Sequence, residues 1–80
     1  MPYTLQMKGK KTITVDSFRA AAVAWSQAKY AGRGSAFYTR EMGLIRDESG
    51  VVVARISPNG RVWAGATYVA DAVLLCEAVY

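Results

Sequence analysis

Eighty residues allow one domain, 1–80, and an apolar fraction of 52% is enough for it to fold around a core. No apolar run approaches the roughly 20 residues of a membrane-spanning helix, and the first dozen residues, with Lys8, Lys10 and Lys11, lack the apolar stretch of a signal peptide. Cys76 is the only cysteine, so an internal disulfide is excluded, and the expectation is a single compact domain of a reducing cytoplasm with no membrane partner.

The net charge of +4 is unevenly spread. Residues 1–40 hold seven Lys/Arg against Asp16 alone, a net +6, whereas residues 41–80 hold three Arg against five acids, a net −2. A basic first half steers a protein towards acidic partners, either nucleic acid or an acidic protein surface. Plain solubility is the competing reading.

Along the chain, Tyr3, Leu5 and Met7 alternate with polar residues, and the alternation resumes at Ile13 and Val15. This predicts a β-hairpin. An odd loop, Lys8-Gly9-Lys10, puts all five apolar residues on one face, whereas an even loop mixes Thr4 and Gln6 with Ile13 and Val15. Asp16 or Ser17 then caps a helix running to about Ala31, with Gly32 as its stop. Phe18, Ala21, Ala22, Trp25 and Ala28 share one side of it; Arg19, Val23, Ser26, Gln27 and Tyr30 form the opposite stripe. Residues 36–42 read equally as a turn of helix or a lead-in strand.

Glu48-Ser49-Gly50 and Ser57-Pro58-Asn59-Gly60 are turn signals that divide three strands near 43–47, 51–57 and 61–64. A three-residue loop, 58–60, with Gly60 at positive φ sets Ile56 against Val62, Ala54 against Ala64 and Arg55 against Trp63. A four-residue loop mixes the faces. Residues 66–80 carry Tyr68, Val69, Ala72, Val73, Cys76, Val79 and Tyr80 at helical spacing, which predicts an additional C-terminal helix. The fold expected is α+β: an antiparallel sheet of about five strands in the order β-β-α-β-β-β, packed on one helix.

The chain has no histidine, so the commonest general base and the commonest transition-metal ligand are missing. One cysteine cannot build a zinc site, and Cys76 reads as a small core or interface residue. Asp47 and Glu48 read as solvated turn carboxylates, and Gly32-Arg33-Gly34 is too short for a phosphate-binding loop. No catalytic residue, metal or cofactor is expected; the protein is expected to act by binding.

Two surfaces are candidates. On the sheet face turned away from the helix, an even-length turn after residue 46 brings Arg46, Arg55 and Arg61 around Trp63, which suits a phosphate backbone with a stacked base or an acidic protein groove. A solvated face, or one covered by the C-terminal segment, is the alternative. On the helix, the outward stripe with Arg19, Gln27 and Tyr30, flanked by Lys29 and Arg33, has the composition of an interface or of an ordinary solvent face.

Thr14-Val15-Asp16-Ser17-Phe18 leading into Ser26-Gln27-Ala28-Lys29, followed by Gly50, Ala54, Gly60-Arg61 and Trp63 across two strands, resembles the small phage-encoded anti-CRISPR proteins that inhibit type I CRISPR-Cas surveillance complexes. The likeness spans residues 12–64. It implies a protein of the infected bacterial host's cytoplasm that binds Cas proteins of a Cascade-like complex and blocks target DNA from pairing. It also implies the use of basic side chains on and just after the helix, with Lys29 as the matching position. Separately, a net charge of only +4 and no evident recognition element lead to the expectation of at most weak non-specific nucleic-acid binding, by a monomer or weak dimer. Lys29 falls on the apolar side of the helical wheel, so it is expected to snorkel outward. The runner-up expectation is a small nucleic-acid-binding module using the basic and aromatic sheet face.

Overall fold

The computed structural model describes residues 2–29, 42–57, 59–65 and 72–79. Six strands and one helix follow in chain order: β1 Tyr3–Gln6, β2 Thr12–Val15, α1 Phe18–Gln27, β3 Leu44–Arg46, β4 Val52–Ile56, β5 Val62–Ala64 and β6 Leu74–Cys76. The strands form one antiparallel sheet in the order β2-β1-β3-β4-β5-β6. β2 and β6 are thus the edge strands, and α1 packs against both of them.

The first hairpin has the odd loop its alternation requires. Tyr3 pairs with Val15 and Leu5 with Ile13, the amide of Met7 donates to the carbonyl of Lys11, and Lys8–Lys10 form the turn. Ser17, extended at φ −160°, caps α1: its hydroxyl accepts from the amide of Ala20 at 3.0 Å. Asp16, the other candidate, is exposed and outside the helix.

The helix is shorter than its apolar spacing predicts. It ends at Gln27, with Ala28 as C-cap and Lys29 at φ +58°. A left-handed residue closes a helix by turning its amide back on the last carbonyls. Here the amide of Lys29 donates to Ser26. The expected stop at Gly32, and the residues left open at 36–41, lie outside the described residues.

The core is the layer between α1 and the sheet. Leu5, Val15, Ile45, Ala54, Ile56 and Val62 bury one sheet face against Ala21, Ala22 and Trp25 of the helix, and Trp25 is only 1% exposed. Met7 and Met42 close one end. Burying an aromatic ring and five branched or long aliphatic side chains supplies most of the driving force in so small a domain. At Gly60, φ +96°, the backbone passes close to Trp25 and Ala78, and a Cβ at this position would stand 3.4 Å from the Ala78 Cβ. The register after this turn is the one face consistency requires: Ile56 opposite Val62, Arg55 opposite Trp63, Ala54 opposite Ala64.

Two expectations are corrected. The C-terminal helix is not formed at residues 74–76, which are a sixth strand paired with β5. Valine and leucine in a continuous run satisfy a strand as well as a helix, and pairing to an otherwise bare β5 edge decides between them. Residues 66–71 and Tyr80 of that segment lie outside the described residues.

The turn after Arg46 is not even-length. The amide of Asp47 donates to Val51 and that of Gly50 to Asp47, so the loop is Glu48-Ser49-Gly50, braced by Asp47 Oδ1, which accepts from the amides of Ser49 and Val51. A bulge at Val53 absorbs the odd residue: Arg46 pairs with Val52, but Ile45 pairs with Ala54. Arg46 therefore still reaches the expected face.

Candidate functional site

The sheet face turned away from α1 is set by the same registers. Leu44 pairs with Arg55, Arg55 with Trp63, and Trp63 with Leu74, so these four side chains form one row across four adjacent strands. Arg46 stands two residues from Leu44 on β3 and pairs with Thr4, which pairs in turn with Thr14. The face thus grades from a hydroxyl-bearing edge at β2 to an aromatic and aliphatic edge at β6. Arg55, Trp63, Leu44 and Arg46 are half-buried, and Leu74 is 39% exposed.

Of the sequence-predicted residues, Arg55 and Trp63 are brought directly opposite one another. Arg61 is on the same side of β5, but its Nε lies 3.0 Å from Glu77 Oε1, so its charge is matched by an acid of the chain. The expected triad of guanidinium groups around Trp63 is thereby reduced to Arg46 and Arg55. Leu44 and Leu74 were missed. Leu44 was legible from the alternation Leu44-Ile45-Arg46, whereas Leu74 depends on the β5–β6 register, which a second bulge displaces at Leu75.

On the helix, Arg19 and Gln27 are exposed, and Val23 and Ser26 are half-buried between them. Lys29 is also exposed, but not by snorkelling: its positive φ takes it off the helical wheel altogether. Tyr30 and Arg33 lie outside the described residues. The helix stripe and the Arg55–Trp63 row are on opposite sides of the sheet, so they are two surfaces and not one.

Charge is also sorted along the strands. The β1–β2 turn with Lys8 and Lys11 lies at the same end as Arg61 and the β4–β5 turn, because Gly43 bridges Gln6 and Ile56 there. The opposite end holds Asp16, just beyond Val15, with Asp47 and Glu48 just beyond Arg46.

Cys76 is half-buried opposite Val62, and its thiol donates to the carbonyl of Glu77. Among the described residues no group of three or more His, Cys, Asp or Glu is placed to hold a metal ion, and no helix is long and apolar enough to cross a membrane. No family model, curated protein or solved structure matches this chain.

Proposed function

We propose that this chain is a non-catalytic binding domain whose sheet face opposite α1 takes single-stranded nucleic acid. The observation that carries the reading is the direct pairing of Arg55 with Trp63 in the middle of that face, extended by Leu44 and Leu74 and flanked by Arg46. An indole offers a stacking surface to any base, and neighbouring guanidinium groups hold the phosphates. The basic end with Lys8 and Lys11 continues the path of a polyanion beyond the sheet. The absence of histidine from the sequence favours binding over acid–base chemistry. Fluorescence anisotropy with labelled oligonucleotides tests this: a short single strand should bind with a clear fall in affinity as salt rises, and Trp63→Ala should weaken it about tenfold, within the range for one stacked base. Unchanged binding by Trp63→Ala, or none at low salt, refutes the reading.

A second reading is favoured by a different observation. Lys29, the position matched by the resemblance to anti-CRISPR proteins, is exposed immediately beyond the helix beside exposed Gln27. On this proposal the domain docks on Cas proteins of a type I surveillance complex and keeps target DNA from binding. The basic character of residues 1–40 argues against mimicry of DNA by charge and for steric exclusion. Mixing the purified protein with such a complex before or after target DNA tests it: inhibition should appear only in the first order.

A further inference from the structure

The acidic end of the sheet contains a cavity of about 240 Å³ that the sheet-face reading does not use. It is lined by Pro2, Tyr3, Phe18 and Val53 together with the acidic residues Asp47 and Glu48. Four separate elements build it: the start of β1, the first residue of α1, the β3–β4 turn and the bulge in β4. Tyr3 and Phe18 stack with ring centroids 5.0 Å apart and planes 28° from parallel, which fixes one wall. Val53 forms part of the lining because it is the residue left unpaired by the bulge, and re-aiming a side chain is what a bulge does beside a site.

The chemistry of the lining defines the ligand. Small-molecule sites run to roughly 300–1,000 Å³, so this one suits a single side chain rather than a nucleotide. Its walls are apolar and aromatic, which suits an alkyl stem, while ring faces and carboxyl groups together favour a cationic head. Asp47 Oδ1 is committed to the turn, but neither Asp47 nor Glu48 has a basic partner among the described residues. Asp16 lies at the same end of the sheet, so half of the chain's six acids gather there in a protein of net charge +4. These carboxyl groups are not grouped closely enough to hold a metal ion. We infer that this cavity is a binding site for a lysine or arginine side chain presented by a partner protein, the alkyl stem lying against Tyr3, Phe18 and Val53 and the cation meeting Glu48 and Asp47.

The site is separate from the Arg55–Trp63 row, so the two stand or fall independently. A titration of the full chain, followed residue by residue by amide NMR, tests it with N-acetyl-lysine amide, N-acetyl-arginine amide and the neutral N-acetyl-norleucine amide. The expected result is saturable shifts at Tyr3, Phe18 and Val53 with at least one cationic probe, and at least tenfold weaker binding of norleucine. Glu48→Gln, an exposed change that leaves the turn's hydrogen bonds in place, should weaken the cationic probe several-fold and leave norleucine unchanged. Shifts absent from those three residues, equal binding of norleucine, or a Glu48→Gln protein that binds the cation as the parent does would each overturn the assignment.

Discussion

Gly43 lies so close to Ile56 that a Cβ at position 43 would stand 2.7 Å from the Ile56 carbonyl oxygen. The approach is made by backbone on both sides: Ile56 donates its amide to Gly43, and Gly43 donates its own to Gln6, at 2.8 Å each. Glycine 43 also sits at φ +84°, a region that side chains other than glycine rarely adopt. Neither neighbour is a flexible side-chain tip that can move aside. Gly43→Ala should therefore destabilise the domain by at least about 1–3 kcal/mol from backbone strain alone, with the clash adding to it. Urea unfolding measures this, and a change within 0.5 kcal/mol, on the order of an ordinary surface substitution, contradicts the close approach.

The two tryptophans should respond unequally. Trp25 is sealed between α1 and the sheet, beside Gly60, whereas Trp63 is half-buried on the other face. Trp25→Ala should cost about 3–5 kcal/mol, a large part of the stability of a domain this size. Trp63→Ala loses cross-strand packing worth roughly 0.2–1 kcal/mol per pair. Thermal unfolding of both variants compares them directly, and equal losses would place Trp63 in a core of its own.

The β4–β5 register that sets Arg55 against Trp63, and that of the first hairpin, were legible because wrong alternatives carry a penalty that the sequence displays. A four-residue loop between β4 and β5 sets apolar Ile56 against Arg61, and an even loop in the first hairpin puts Thr4 and Gln6 on the face of Ile13 and Val15. Where faces are less distinct, local pattern loses its power. Val73-Leu74-Leu75-Cys76 is apolar throughout, and the bulge at Leu75 removes the period of two that would have announced a strand. The same limit hid the cavity. Val53 lines it only because the Asp47-capped turn is odd and a bulge compensates, and Tyr3 meets Phe18 through tertiary packing that no spacing encodes.

The helix ends offer a paired test of local backbone chemistry. Ser17→Ala removes the acceptor for the Ala20 amide and should cost about 1 kcal/mol. Lys29→Gly should do the opposite, since glycine takes the left-handed conformation without the penalty a lysine bears there. A gain of up to about 1 kcal/mol is expected. A Lys29→Gly protein less stable than its parent would mean that contacts of the lysine side chain outweigh the strain at φ +58°.

The two binding proposals make opposite predictions for two double variants, because the surfaces lie on opposite sides of the sheet. Arg55→Glu with Trp63→Ala removes the centre of the sheet face; Lys29→Glu with Arg33→Glu reverses charge at and after the end of α1. Each is assayed against a labelled single-stranded oligonucleotide and against a type I surveillance complex loaded afterwards with target DNA. On the nucleic-acid reading, the first pair abolishes measurable oligonucleotide binding. The second pair only lowers it, in proportion to the charge removed, and the loss is recovered at lower salt. On the inhibitor reading, the second pair weakens docking on the complex by a few kcal/mol, on the order seen when an interfacial charge loses its partner, while the first pair still blocks DNA loading. Circular dichroism of both variants checks that the helix and sheet are intact. Inhibition lost with the first pair and kept with the second would join the two readings: the sheet face would then be the surface that meets the complex, and Lys29 a bystander at the end of the helix.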